Sequence, residues 1–163
     1  MEENNRSAFF RALTELAEKD PKIILIVPDV GFSYLDEYVE RFPNQFINTG
    51  VTEQSTMGIA AGMALAGWRP YVYTMINFAI MRCYEQLRND VCYHDANVKI
   101  LGVQGSVHYK FLGFSHNLNG EEHEEDLLSH LPNIRRQYPQ SPEEAYMNIH
   151  RTYAIKGPAY IRL

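Results

Sequence analysis

The run Ile24-Leu25-Ile26-Val27 constrains this chain more than any other stretch. It is apolar at every position and so has no polar face to offer water. Such a run reads as a parallel strand buried on both faces. A strand of that kind needs helices above and below it, and the rest of the chain supplies them in alternation. Ser7 to Lys19 sets Ala8, Phe9, Leu13, Leu16 and Ala17 at helical spacing and stops at Asp20-Pro21. Leu35 to Phe42 is a second helical stretch, ended by Pro43. Phe46-Ile47, Tyr71 to Thr74, Val98 to Val103, Asn133 to Tyr138 and Ala159 to Leu163 read as further strands. Phe78 to Val91 is expected to be one long helix with Met81, Tyr84, Leu87 and Val91 on one side, and Pro142 to Tyr153 another. A short helix is expected at Leu127, Leu128 and Leu131. The alternation predicts an α/β fold: a doubly wound, mostly parallel six-stranded sheet with helices on both faces. No repeat, low-complexity tract or linker divides the sequence, so residues 1–163 are expected to form a single domain.

The stretch from Asn48 to Gly67 carries the chemistry. Asn48-Thr49-Gly50 is a turn signal after the Phe46-Ile47 strand. From Met57 onward the residues are nearly all apolar or small, which predicts a helix buried on all sides. Glu53 then falls in the first turn of that helix. An ionisable carboxyl there is costly unless something specific pairs with it, although a glutamate that caps the helix and faces water fits the pattern equally well. Asp29, in Pro28-Asp29-Val30-Gly31, and Ser33 follow the first strand, where open α/β sheets gather their ligands. Loop capping is the alternative for both.

Other features exclude whole classes. The net charge is -5, and no lysine and arginine cluster is interleaved with aromatics, which argues against nucleic-acid binding. No apolar run approaches the length of about 18 residues that a membrane span requires, and no signal-peptide pattern is present; a cytoplasmic location is the expectation. Cys83 and Cys92 match no zinc or redox spacing and are expected to be reduced core thiols. From His108 to Glu125 the periodicity is lost, which suggests a long active-site loop. His116, His123 and His130 recur at seven-residue intervals among acidic residues, but Asn119-Gly120 breaks a continuous helix, and a solvated acidic loop is favoured over a metal site.

The string GVTEQSTMGIAAGMALAG, followed by RPYVYTMINF, resembles the pyrimidine-binding (Pyr) domain of transketolase-like thiamine diphosphate enzymes, nearest to the C-terminal subunit of split transketolases. The similarity runs from Arg6 to Leu163. It implies the thiamine diphosphate-binding fold of the Pyr type. It also implies that Glu53 bonds the N1' atom of the cofactor's aminopyrimidine ring and so makes the cofactor's own amino group basic. Burial among apolar side chains is expected to raise the carboxyl pKa so that the proton can be shared. Phe78 matches the aromatic that stacks on the pyrimidine; Met75 and Met81 stand where family members carry aromatics and can pack on a ring face. Taken without the resemblance, these three are ordinary core residues. Asp29 is expected on the cofactor side.

On the substrate side, Arg6, Ser33 and His116 match family positions, with His116 also expected to be catalytic. Gln104 stands where the family has a histidine, Tyr138 where it has an arginine, and Leu112 where it has an aspartate. The loss of two charge-assisted phosphate contacts implies a substrate unlike the usual sugar phosphates, or one whose anion is held elsewhere. The family binds diphosphate and magnesium through Gly-Asp-Gly and a distal asparagine, and these 163 residues contain no Gly-Asp-Gly. A separate diphosphate-binding (PP) subunit holding Mg2+ is therefore expected, in an α2β2 heterotetramer, with the transketolase C-terminal domain also absent from the chain. The resemblance implies transfer or joining of a two-carbon ketol or acyl unit. A two-chain 2-oxo acid decarboxylase or acyloin synthase, and a non-catalytic assembly subunit, are the alternatives.

Overall fold

The computed structural model describes residues 3–104, 109–118 and 121–163. Its centre is β1 (Ile23–Val27), buried at every position as the apolar run demands. The chain continues through α2 (Asp36–Arg41), β2 (Phe46–Asn48), α3 (Glu53–Leu65) and β3 (Arg69–Met75). Two short helices follow, α4 (Ile76–Ala79) and α5 (Tyr84–Gln86), and then β4 (Lys99–Val103). The last elements are α6 (Glu121–Ser129), β5 (Arg135–Gln137), α7 (Pro142–Tyr153) and β6 (Ala159–Arg162), while α1 (Asn5–Ala17) opens the chain. The six strands form one sheet in the order β2-β1-β3-β4-β6-β5. Every neighbouring pair is parallel, with Leu25 beside Tyr71, Tyr71 beside Lys99 and Lys99 beside Ala159. All the strands therefore end at one edge, where loops can converge on a ligand.

Two layers of side chains cover the sheet. On one face α1 and α7 pack together over β1 and β3, with Phe9 stacked on Tyr73 at 6.0 Å between ring centroids. The start of α1 is fixed by a capping box, in which the Asn4 side chain accepts from the Ser7 backbone N–H and Ser7 answers to Asn4. α7 begins at Ser141, whose hydroxyl accepts from the Glu144 N–H, with Pro142 in the first turn; acids there and His150 and Arg151 in the last turn complement the helix dipole. The other face is covered by α3 and the segment from Ile76 to Val98, whose Met57, Ala60, Ile80, Leu87 and Val91 meet Ile26, Val72 and Tyr160. Each Val, Leu, Ile or Met among them, fully buried, contributes roughly 1.5–3 kcal/mol.

Three expectations are corrected here. α3 is not buried all round: Thr56, Met57, Ala60 and Ala61 face the sheet, whereas Ile59 and Leu65 are 44% and 62% exposed on the opposite side. A helix lying on one face of a sheet has only one stripe to bury, whatever its composition. The segment from Phe78 to Val91 is not one helix. The N–H groups of Met81 and Arg82 both donate to the Asn77 carbonyl, at 3.0 and 3.1 Å, so an extra residue is taken into the turn after α4. The chain then resumes as α5 and a π-helical turn over Leu87–Cys92. Finally, α6 starts at Glu121 rather than near Leu127, inside the stretch read as loop. Its acids concealed the helical period because Glu124 turns inward, only 1% exposed, to meet the Tyr160 hydroxyl and Arg162. The expected break at Asn119-Gly120, and the loop's beginning at His108 after Gly105, lie outside the described residues.

Candidate functional site

The turn between β2 and α3 aims one acid at the strand ends. Asn48 Oδ1 accepts from the N–H groups of Gly50 and Asp29, at 2.9 and 3.2 Å, and Thr49 N–H donates to the Val27 carbonyl at 3.0 Å. Gly50 takes a φ of +69°, open to glycine at little cost. Thr52 donates through Oγ1 to the Thr49 carbonyl, which closes the turn, and the helix begins at Glu53. Glu53 is 5% exposed. The N-terminal dipole of α3 favours its negative charge. The sequence predicted an apolar surround; instead Glu53 Oε1 accepts from Arg82 Nη1 at 2.7 Å. That pairing answers the cost of burying the acid.

Arg82 also lies over an aromatic ring, its guanidinium carbon 3.9 Å from the centre of Phe78. His116 meets the same ring edge-on at 5.1 Å between centroids. The loop that carries His116 is tethered by the Asn77 amide, which donates to the Ser115 carbonyl, while Ser115 Oγ and His116 Nδ1 stand 2.8 Å apart. Behind Phe78 the turn is backed by Cys83, whose Sγ donates to the Phe78 and Ala79 carbonyls. A cavity of about 620 Å³ opens beside this cluster, with Phe78, Met81 and Arg82 on one wall and Asn117, His123 and Asp126 on the other. An acid, an aromatic face and a roomy cavity together suit a planar nitrogen heterocycle that stacks on Phe78 and hydrogen-bonds Glu53. The guanidinium, itself planar and rich in N–H, makes both contacts.

The residues singled out from the sequence fall into two groups. Glu53, Phe78, Met81 and His116 come together at this cluster, with Met81 58% exposed at the cavity wall. Met75 is buried at the end of β3. Arg6 belongs to the α1 layer on the other face, its guanidinium 4.1 Å from the centre of the Tyr34 ring. Asp29 and Ser33 are exposed in the loop after β1, with φ of 57° and 71°, and the Asn48 amide donates to Asp29 Oδ1 at 3.3 Å. Gln104 follows β4, its N–H donating to the Leu163 carbonyl. Tyr138 donates its hydroxyl to Glu125. Among the described residues no three His, Cys, Asp or Glu side chains converge to hold a metal ion. Cys83 and Cys92 are free, buried thiols. Sequence reasoning missed Arg82. No helical period marks it: the extra residue in the turn after Asn77 is what brings it back over Phe78.

Known proteins share this arrangement of elements. The family profile described as "Transketolase, pyrimidine binding domain" matches residues 2–163. A subunit of the apulose-4-phosphate transketolase of Phocaeicola vulgatus is 31% identical over 159 residues, which are 97% of this chain and 50% of that protein. The chain thus spans about half the length of that curated relative. A solved structure described as "Split gene transketolase, inactive beta4 tetramer" superposes with a TM-score of 0.85 at 32% identity, covering 98% of this chain and 51% of the other. The transketolase of Campylobacter jejuni shares the fold, with a TM-score of 0.83 at 16% identity over 98% of this chain and 25% of its own. Matched by the profile over nearly all its length, this chain belongs to the family of transketolase pyrimidine-binding domains.

Proposed function

We propose that this chain supplies the pyrimidine-binding half of a thiamine diphosphate-dependent, transketolase-like active site that cleaves or forms a carbon-carbon bond next to a carbonyl. The observation that carries the reading is Glu53, a carboxylate 5% exposed at the head of α3 and reached by a planar group stacked on Phe78. When bound, thiamine diphosphate would supply the nucleophilic carbon for chemistry at the substrate carbonyl. Glu53 holds a proton at the ring nitrogen N1'. Phe78 seats the ring, with Met81 beside it and Met75 supporting the end of β3. His116 sits beside Phe78, where it can exchange a proton with substrate, while Arg6, Ser33 and Gln104 extend the substrate side and Asp29 borders the cofactor.

The diphosphate and Mg2+ are assigned to a PP domain on a separate subunit, a reading supported by the likeness to the split-gene transketolase. The domain is a single Pyr-type unit, paired with that subunit in an α2β2 heterotetramer in the cytoplasm. The outer face of α3, with Ile59 and Leu65 exposed, suits such a partner. The name of the Phocaeicola vulgatus relative supports a phosphorylated ketose as substrate. Tyr138 and Gln104, at the family's cationic positions, favour a different hold on the anion, and keep a 2-oxo acid in view.

The test is Glu53→Gln in the reconstituted pair, assayed with ketose phosphates and with 2-oxo acids. Turnover is expected to fall by about 100- to 10,000-fold, the usual contribution of a positioned acid-base group. Unchanged turnover would reduce the chain to an assembly subunit.

A further inference from the structure

Arg82 has no place in the proposed chemistry, yet it holds both contacts that a cofactor ring would need. Its guanidinium carbon is 3.9 Å from the centre of Phe78, and its Nη1 donates to Glu53 Oε1 at 2.7 Å. With Arg82 and His116 in position, Phe78 is only 8% exposed, which leaves no open ring face of useful size. The exposures of the two partners differ greatly, 44% for Arg82 and 5% for Glu53. A side chain that is nearly half in water moves out at little cost, whereas a buried carboxylate left alone is expensive. Whatever displaces Arg82 must therefore give Glu53 a donor in exchange. The extra residue in the turn after Asn77 is what brings position 82 back over Phe78.

We propose that Arg82 is a built-in placeholder. In the cofactor-free protein it occupies the ring slot, stacking on Phe78 and neutralising Glu53, and it swings into the cavity mouth when the aminopyrimidine takes its place. The inference rests on the reading of the site as a thiamine diphosphate site. It makes Arg82 a positioning residue: it keeps Glu53 aimed and the slot open, and it sets how tightly the cofactor is held. A slot filled by its own side chain nine-tenths of the time lowers apparent affinity about ten-fold.

The experiment compares wild type with Arg82→Met and Arg82→Gln in the assembled enzyme. Thiamine diphosphate with Mg2+ is titrated by calorimetry, and the melting temperature is recorded with and without the cofactor. For Arg82→Met the expected result is a lower melting temperature without cofactor, about ten-fold tighter cofactor binding, and a larger upward shift in melting temperature when cofactor is added. Arg82→Gln, which keeps a donor for Glu53 but loses the charge, should fall between the two. Added methylguanidinium should weaken cofactor binding in Arg82→Met more than in wild type. Equal or weaker binding by both variants overturns the placeholder and leaves the cofactor reading standing. An absence of thiamine diphosphate binding by all three proteins overturns the cofactor reading, and the placeholder with it.

Discussion

Tyr160→Phe removes one oxygen atom from the middle of the sheet. That oxygen donates to the Glu124 carboxylate, and the two residues are 0% and 1% exposed. Arg162 Nη1 approaches the other carboxylate oxygen at 3.5 Å, so the phenol is the closer of these two partners. Tyr160 can lie across β4 only because position 102 is glycine; a Cβ there would stand 2.9 Å from the Tyr160 ring. The ring itself stays packed in the variant, so the loss is a hydrogen bond to a charged acceptor with almost no cavity. Such a bond is worth about 1.5–3 kcal/mol. For a domain of this size, each kcal/mol moves the melting temperature by roughly 2–4 °C, so a fall of about 3–12 °C is expected. In urea the midpoint should drop with its slope unchanged. Because α6 is pinned through Glu124 and supplies one wall of the cavity, amide exchange in α6 should also rise more than in α1. A change below about 0.5 kcal/mol would refute the view that this contact holds α6 on the sheet.

Two further outcomes follow from burial. Cys83 and Cys92, pushed up to about 12 by burial, should resist Ellman's reagent at pH 8 in the native protein and react as two thiols in denaturant; rapid native labelling would contradict their placement. Lys99 donates through Nζ to Asn97 Oδ1 and to the carbonyls of Ile155 and Gly157, and it is brought down to about 8, mainly by loss of water with Arg135 and Arg69 adding repulsion. Between about 8 and the ordinary lysine value of 10.5, the unfolded chain binds a proton that the folded chain has released. This group therefore makes stability rise with pH across that window, by at most about 3 kcal/mol. Lys99→Met should remove that rise; an unaltered slope would count against the assignment.

Much of the fold was legible because burial leaves a mark on composition. Ile24 to Val27 had to be a covered strand, and the helix expected from Pro142 to Tyr153 has those bounds. What escaped were places where tertiary contacts override local pattern. The apolar residues of α3 do not all point inward, because the sheet takes one side only. The acids of α6 looked like loop because one of them is satisfied from across the sheet. The long helix expected from Phe78 was interrupted by a turn that only the Asn77 carbonyl reveals. The same holds for the site: Glu53 and Phe78 stood out by motif, while Arg82 matters because of a fold-back that no linear period encodes.

The outermost strands are also the shortest. β2 and β5 have three residues each, and β5 carries Arg135 and Arg136. Neither offers a backbone ladder long enough to template a strand from another molecule, and the charges on β5 discourage the attempt. Lateral growth of the sheet is thus blunted at both margins. Any neighbour this chain recruits must be gripped through side chains such as Ile59 and Leu65, where fit can be selective, and not through the indiscriminate pairing of main-chain amides.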